Sequence, residues 1–348
     1  MQKKYLGLIL LTACFLAGCG AQQTEPPASG ESKSAEREIF AMDTYMTLKT
    51  YGAEAEEAAE AAVEEINRLD GLLSAENQES EIYILNENGS EILSEETAQL
   101  IERAKALNRS TGGAFDITVY PLMTEWGFNT GKYKVPKKNR IKQLLAYVDS
   151  SRIEYDKNNQ LAALPEHVKV DLGGIAKGYT SSRIMDIYKE YGLTGGMVSL
   201  GGNVQTYGGK PEGGSWNVAV QNPDYAEEST GYLGILSLDG GEAVITSGGY
   251  ERYFEQAGRT WHHILDPETG YPAETGLKSV TIISRDGTLA DGLSTALFVM
   301  GKEKALAYWK ENKDLFDVIL MEDDGTITVT GGVSDSFSSD YQYEIVKG

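Results

Sequence analysis

A chain of 348 residues carrying 52 Asp and Glu against 31 Lys and Arg, for a formal net charge of -21, presents an acidic surface that argues against nucleic acid as a partner. Any anionic ligand has to be held by local devices: backbone N–H groups, a metal, or a well-placed lysine. Its two cysteines, Cys14 and Cys19, both fall at the N-terminus, so the body has no thiol or disulfide and relies on a hydrophobic core.

Residues 1–18 have the layout of a secretory signal, with Lys3 and Lys4 ahead of an apolar run from Tyr5 to Leu16 that is too short for a permanent membrane helix. Leu16-Ala17-Gly18-Cys19 resembles the lipobox at which bacterial lipoprotein signals are cut and the new N-terminal cysteine is acylated. An ordinary cleaved signal beside a chance cysteine is the alternative. The expectation is an exported chain, lipid-anchored through Cys19 to the outer face of the cytoplasmic membrane, or to the periplasmic side in a two-membrane cell. Residues 19–38 form the lipidated cysteine and a flexible tether rich in Gly, Ser, Pro, Gln and Glu, leaving 39–348 as the body.

Within the body, Glu38 to Tyr51 reads as one strand, followed by an amphipathic helix from Ala53 to Leu73 with Ala58, Ala62, Ile66 and Leu69 at helical spacing. A second helix starts with Ser94 as N-cap, turns Leu100, Ile101, Ala104 and Leu107 inward, and stops at Gly112-Gly113; another lies near Lys137 to Tyr147. Short β-like stretches around Ile153 and Val168 precede a helix from Ala176 to Tyr191, closed by Gly192. Strands then follow at Met197 to Leu200, Trp216 to Val220, Leu233 to Leu238, Ala243 to Thr246 and Val280 to Ser284, with a helix near Leu289 to Met300. Strands and helices without regular alternation point to an α+β fold. No second apolar run is long enough for a membrane helix.

Three segments carry side chains suited to chemistry. In Asp171-Leu-Gly-Gly-Ile-Ala-Lys-Gly178, two glycines open a helix mouth that contains Lys177, where unpaired N–H groups suit an anion; a plain strand-to-helix turn fits the glycines alone equally well. In Ala290-Asp-Gly-Leu-Ser-Thr-Ala296, Asp291 and Thr295 share a helix face as hard oxygen donors of the kind Mg²⁺ accepts beside phosphate, although a helix-start Asp with an ordinary packed Thr has the same spacing. His262-His263-Ile-Leu-Asp-Pro-Glu-Thr-Gly270 places two of three histidines before a turn, as structural groups or as a general base. His167 is assigned to the surface. Thr111 to Asp116, Ser199 to Asn203 and Thr246 to Tyr250 are small-residue turns able to expose backbone to a ligand or simply to connect elements.

Taken in order, these segments resemble the ApbE family of FAD:protein FMN transferases. The resemblance runs through Met42-Asp-Thr44, Ser74 through Ser80 to Asn86, GGAFDITVYPL, Trp126-Gly-Phe, VDLGGIAKGY, SLGGN, ITSGGYERYF, HILDPETGYP and ADGLSTALFVMG, from about residue 40 to about 301. It implies an α+β, T-fold-related architecture of two intimately packed parts with FAD in the cleft between them. By position, Met42, Ala114, Phe115, Asp116, Asp171, Lys177 and Leu265 match FAD-site residues; Asp291, Thr295 and the Gly174 carbonyl match a Mg²⁺ site; His263 matches the expected base.

The implied reaction is metal-dependent transfer of FMN from FAD to a Ser or Thr hydroxyl in a target motif of an exported flavoprotein, releasing AMP. An FAD pyrophosphatase and a non-catalytic flavin-binding lipoprotein are the competing readings. Three positions depart from the family pattern: Asp43 replaces its usual glycine, Glu76 lies near a position that is aromatic in some members, and Ser294 stands where certain relatives have a second aspartate.

Overall fold

The computed structural model describes residues 33–224 and 231–348; the expected signal, Cys19 and most of the tether lie outside them. Among the described residues no helix is long and apolar enough to cross a membrane. The frame is a nine-stranded sheet in the spatial order Ser34–Ala41, Thr44–Tyr51, Gly195–Leu200, Asn203–Gly208, Ala243–Gly248, Leu277–Ser284, Phe316–Glu322, Ile327–Thr330, Tyr343–Val346. Every neighbouring pair is antiparallel except the last, which is parallel.

Period-two alternation explains why the middle of this sheet is covered on both sides. In Phe316–Glu322, Val318 and Leu320 face a core shared with helices, whereas Ile319 and Met321 face a three-stranded sheet made of Trp216–Gln221, Tyr232–Leu238 and Phe337–Ser338. The helices Ala55–Leu73, Ala176–Glu190, Gly287–Met300 and Lys302–Asn312 cover the first face. A second part, built around residues 81–172, packs against these helices with Leu85, Leu100, Ile153 and Val170 in the same continuous apolar cluster as Val280, Leu297 and Val318. The α+β expectation is met, and one shared core joins the two parts.

Several elements differ from the expectation. Glu38 to Tyr51 is not one strand but part of a hairpin, Ser34–Ala41 with Thr44–Tyr51, turned at Met42 and Asp43 with φ of 48° and 58°. Two consecutive positive φ values are what a tight hairpin requires, and residues other than Gly or Asn conceal that turn in a sequence. Ser34 to Glu38 therefore belong to the sheet, not to the tether. The stretch at Val168 is extended without a strand ladder: the Asn86 side chain donates to Val170 O at 2.8 Å and accepts from Val170 N at 2.7 Å. The helices Glu81–Asn88, Tyr120–Trp126 and Lys302–Asn312 were not anticipated, although Ser80 caps the first in the ordinary way, accepting from Tyr83 N at 2.9 Å.

The helices Ala176–Glu190 and Gly287–Met300 cross at two glycines. A Cβ on Gly178 would sit 2.1 Å from Gly287 O and 2.5 Å from Asp291 Cβ. In an open helix Gly→Ala stabilises by about 1 kcal/mol, but overpacking here costs about 1–3 kcal/mol. Gly178→Ala is therefore expected to lower the urea midpoint; a raised midpoint would contradict this crossing.

Candidate active site

A cavity of about 1410 Å³ opens between the helix mouths, the sheet and the second part, larger than the roughly 300–1,000 Å³ typical of small-molecule pockets. All eleven residues singled out from the sequence of the body line it: Met42, Ala114, Phe115, Asp116, Asp171, Gly174, Lys177, His263, Leu265, Asp291 and Thr295.

The mouth of Ala176–Glu190 forms one wall. Its N-cap, Ile175, has no side-chain oxygen to offer. Gly173 N donates to Asp171 Oδ1 at 2.8 Å, turning the chain before the helix. A Cβ on Gly174 would lie 3.1 Å from the Phe115 ring and 4.0 Å from Thr295 Oγ1, so the absence of a side chain lets this backbone approach both.

Asp291 is held from two sides. Gly178 N donates to its Oδ2 at 2.8 Å and Asn203 Nδ2 to its Oδ1 at 3.1 Å, with 4% of the residue exposed. Thr295 follows one turn later, its hydroxyl 3.3 Å from Ser247 Oγ. Ser294 sits behind the cavity wall: its hydroxyl donates to Asp291 O at 2.7 Å and lies 2.7 Å from Oγ of the lining residue Ser247.

Among the described residues no group of three His, Cys, Asp or Glu could hold a metal alone. One carboxylate, one hydroxyl and the Gly174 carbonyl are nevertheless a hard-oxygen set, and each Asp291 oxygen keeps a second lone pair beyond its hydrogen bond. Such a set fits a cation that draws its other ligands from phosphate and water.

The two adjacent histidines have different surroundings. His262 Nε2 lies 3.1 Å from Ala273 O and its ring meets Phe298 edge-on. His263 lines the cavity with Nδ1 3.2 Å from Arg252 O. A proton on Nδ1 donated to that carbonyl leaves Nε2 with its lone pair, as a base requires. Withdrawal from water and the Arg252 charge hold its imidazolium down to about 3, so the ring is neutral near pH 7. His167 is exposed, 3.3 Å from Glu166.

Charge in the cavity is divided. Glu76 is pushed up by desolvation and then by the Asp43 and Asp171 charges, with Arg252 opposing. Asp171 is raised chiefly by its withdrawal from water, against the Gly173 hydrogen bond and the Arg252 and Lys177 charges. Glu251, although its side chain reaches solvent, is pushed up to about 7, first by partial desolvation at the cavity, with Lys177 opposing, Asp291 adding and Arg252 opposing.

Asp116, although in the wall, spends its carboxylate on the scaffold. It accepts from Thr118 N and Oγ1 at 2.8 and 2.6 Å, Asn108 Nδ2 at 3.0 Å and Ser150 N at 3.1 Å. Asn203, Ser247, Tyr250, Glu251 and Arg252 are among the cavity residues to which the sequence reading gave no role, although they stand inside the SLGGN and ITSGGYERYF segments. The Tyr250 hydroxyl is buried with no hydrogen-bond partner among the described residues.

An uncapped helix mouth with a lysine, a cation-competent oxygen set and a neutral histidine in one cavity is the equipment of a group-transfer enzyme acting on phosphate esters. The ApbE family model matches residues 42–320, and the chain belongs to that family. It is 33% identical over 278 residues to the FAD:protein FMN transferase of Klebsiella pneumoniae, spanning 79% of this chain and 85% of that one. Its identity to the Haemophilus influenzae protein of the same name is 31% over 341 residues, or 94% and 96% of the two chains. The crystal structure of the ApbE protein from Thermotoga maritima superposes with a TM-score of 0.81 at 34% identity, covering 87% of this chain and 99% of that one. The apo flavinyl transferase ApbE from Pseudomonas stutzeri gives 0.78 at 28% identity, covering 89% and 98%.

The shifts of His263 and Glu251 act oppositely on stability. An unfolded chain protonates His263 below about 6.5 and the folded one only near 3, so its contribution is full above 6.5 and is lost as pH falls towards 3. Glu251 contributes below 4.5 and loses that contribution as pH rises towards 7. In urea melts, His263→Ala is expected to flatten the acid limb, and Glu251→Gln to gain stability relative to wild type at about pH 8 but not at about pH 4. Parallel pH curves for either variant and wild type would contradict these environments.

Proposed function

We propose that this chain is an FAD:protein FMN transferase that moves FMN from FAD to a Ser or Thr hydroxyl of an exported protein, with Mg²⁺ bound at Asp291, Thr295 and the Gly174 carbonyl. The observation that carries the reading is the meeting of Asp291, Thr295, Lys177 and His263 in one cavity. The names of the relatives support it.

His263 Nε2 accepts the proton of the acceptor hydroxyl, whose oxygen bonds to the FMN phosphorus as the bond to the AMP phosphate breaks. AMP leaves, the histidine gives up its proton, and the flavin ring keeps its redox state. Lys177 and the N–H groups of the helix mouth hold the diphosphate while Met42, Ala114, Phe115 and Leu265 bound the dinucleotide. A bound Mg²⁺ would neutralise phosphate charge as it builds on the leaving group.

Hydrolysis of FAD to FMN and AMP is the second reading. It is favoured by Glu76, an exposed carboxylate lining the cavity near the position where some relatives present a stacking ring. Mass spectrometry of an acceptor domain incubated with the protein, FAD and Mg²⁺ separates the two. One added FMN per acceptor is expected; free FMN with an unmodified acceptor would establish hydrolysis.

His263→Ala should retain FAD binding and lose about 10²–10⁴ in transfer rate. Asp291→Ala should abolish the dependence on Mg²⁺ together with most of the rate. Unchanged labelling by either variant would remove that residue from the mechanism.

Export and acylation at Cys19 belong to the same proposal, supported by the lipobox. Cys19→Ala is expected to move the chain from the membrane fraction to the soluble one; unchanged fractionation would refute the anchor.

A further inference from the structure

Between Glu125 and Asp149 the chain has no acidic residue and six basic ones, Lys132, Lys134, Lys137, Lys138, Arg140 and Lys142, within a protein of net charge -21. Lys134 and Arg140 share Glu125, at 2.8 and 3.3 Å. Lys132, Lys137, Lys138 and Lys142 are exposed and make no ion pair among the described residues.

This segment borders a groove of about 620 Å³ between the Lys138–Leu145 helix and the Arg259–His262 strand. Its floor is apolar, with Ile141, Trp261 and Tyr271; its rim carries Lys138, Lys142 and Arg259, and none of its lining residues is acidic. Arg259 packs 4.2 Å over the Trp261 ring and pairs with Glu274, which leaves the two lysines as the unpaired charges of the rim.

The groove adjoins the active cavity. Pro267 lines the cavity, while Thr269 and Tyr271, a few residues along the same loop, line the groove. Trp261 belongs to both the groove floor and the aromatic cluster of Trp126, Phe128 and Leu265 that backs the cavity.

We infer that this basic groove docks an acidic, partly apolar segment of the protein that receives the flavin phosphate, and so presents its hydroxyl to His263. The identity of that occupant rests on the transferase reading. Charge complementarity selects an acidic segment: elsewhere the body repels an acidic partner, but beyond about 10 Å that repulsion is screened, so the lysines dominate at contact. A concave apolar floor suits side chains of a polypeptide. A flat bilayer surface would reach the lysine tips and leave the floor unfilled.

The test uses the full folded chain and a fluorescein-labelled peptide with a central Thr flanked by Glu and Leu, a counterpart with Gln for Glu, and vesicles of phosphatidylglycerol and phosphatidylcholine. The Glu peptide is expected to bind about tenfold tighter than the Gln peptide, and less tightly as salt rises. The double variant Lys138→Glu/Lys142→Glu should lose that preference with FAD affinity unchanged, and Lys138→Arg/Lys142→Arg should keep it. The milder Lys138→Gln/Lys142→Gln pair covers any misfolding of the charge reversal.

Equal binding of the two peptides, or an unchanged preference in the charge-reversed protein, would overturn the inference. So would vesicle binding that the reversal abolishes while peptide binding stays the same. If the wild type flavinylates no protein yet binds the Glu peptide as described, the groove stands and the transferase reading falls.

Discussion

The carboxylate of Asp291 is fixed by two donors that come from distant stretches of chain, Gly178 N and the Asn203 amide. Three local facts meet in that one group. The helices Ala176–Glu190 and Gly287–Met300 approach closely enough for the bond because Gly178 and Gly287 have no side chains at the crossing. The Gly201-Gly202 turn brings Asn203 to the other oxygen, with Gly201 N bonded to Tyr45 O at 3.1 Å. Thr295, one turn along, then faces the Gly174 backbone. For the proposed Mg²⁺ this means a carboxylate whose orienting bonds exist before any ligand arrives.

Its surroundings explain how so acidic a chain can hold an anion. Lys177 and Arg252 are cavity cations whose charges oppose the upward pKa shifts of Asp171 and Glu251. Asp43 and Glu76 repel one another in the same cavity, with only Arg252 easing Glu76. In the proposed reading the diphosphate lies at the Lys177 side, and the Asp43 and Glu76 side is left for an uncharged or donor-rich part of the ligand. His263 is neutral for a related reason: withdrawal from water and the Arg252 charge both penalise its cation.

Sequence made the chemistry more legible than the frame. Asp291 and Thr295, one helical turn apart, and Lys177, following glycines into a helix, could be placed together from spacing and from the family resemblance, and the structure brings all three to one cavity. Asn203 cannot be read the same way, since its partner is 88 positions away and nothing local marks the contact. The first hairpin escapes notice because Met42 and Asp43 occupy a turn that normally advertises itself with Gly or Asn. At Val170 the pairing partner is the side chain of Asn86, which no strand pattern encodes. Asp116 shows the converse: its motif places it in the cavity wall, yet its oxygens are consumed in holding Thr118, Asn108 and Ser150.

The direct test is a crystal structure of the chain soaked with FAD and Mg²⁺. The account requires a cation about 2.0–2.1 Å from oxygens of Asp291 and Thr295, a diphosphate bridging it to Lys177 at the mouth of Ala176–Glu190, and His263 Nε2 facing the FMN phosphorus. A diphosphate bound elsewhere in the cavity, with Asp291 still engaged only by Gly178 and Asn203, would contradict it.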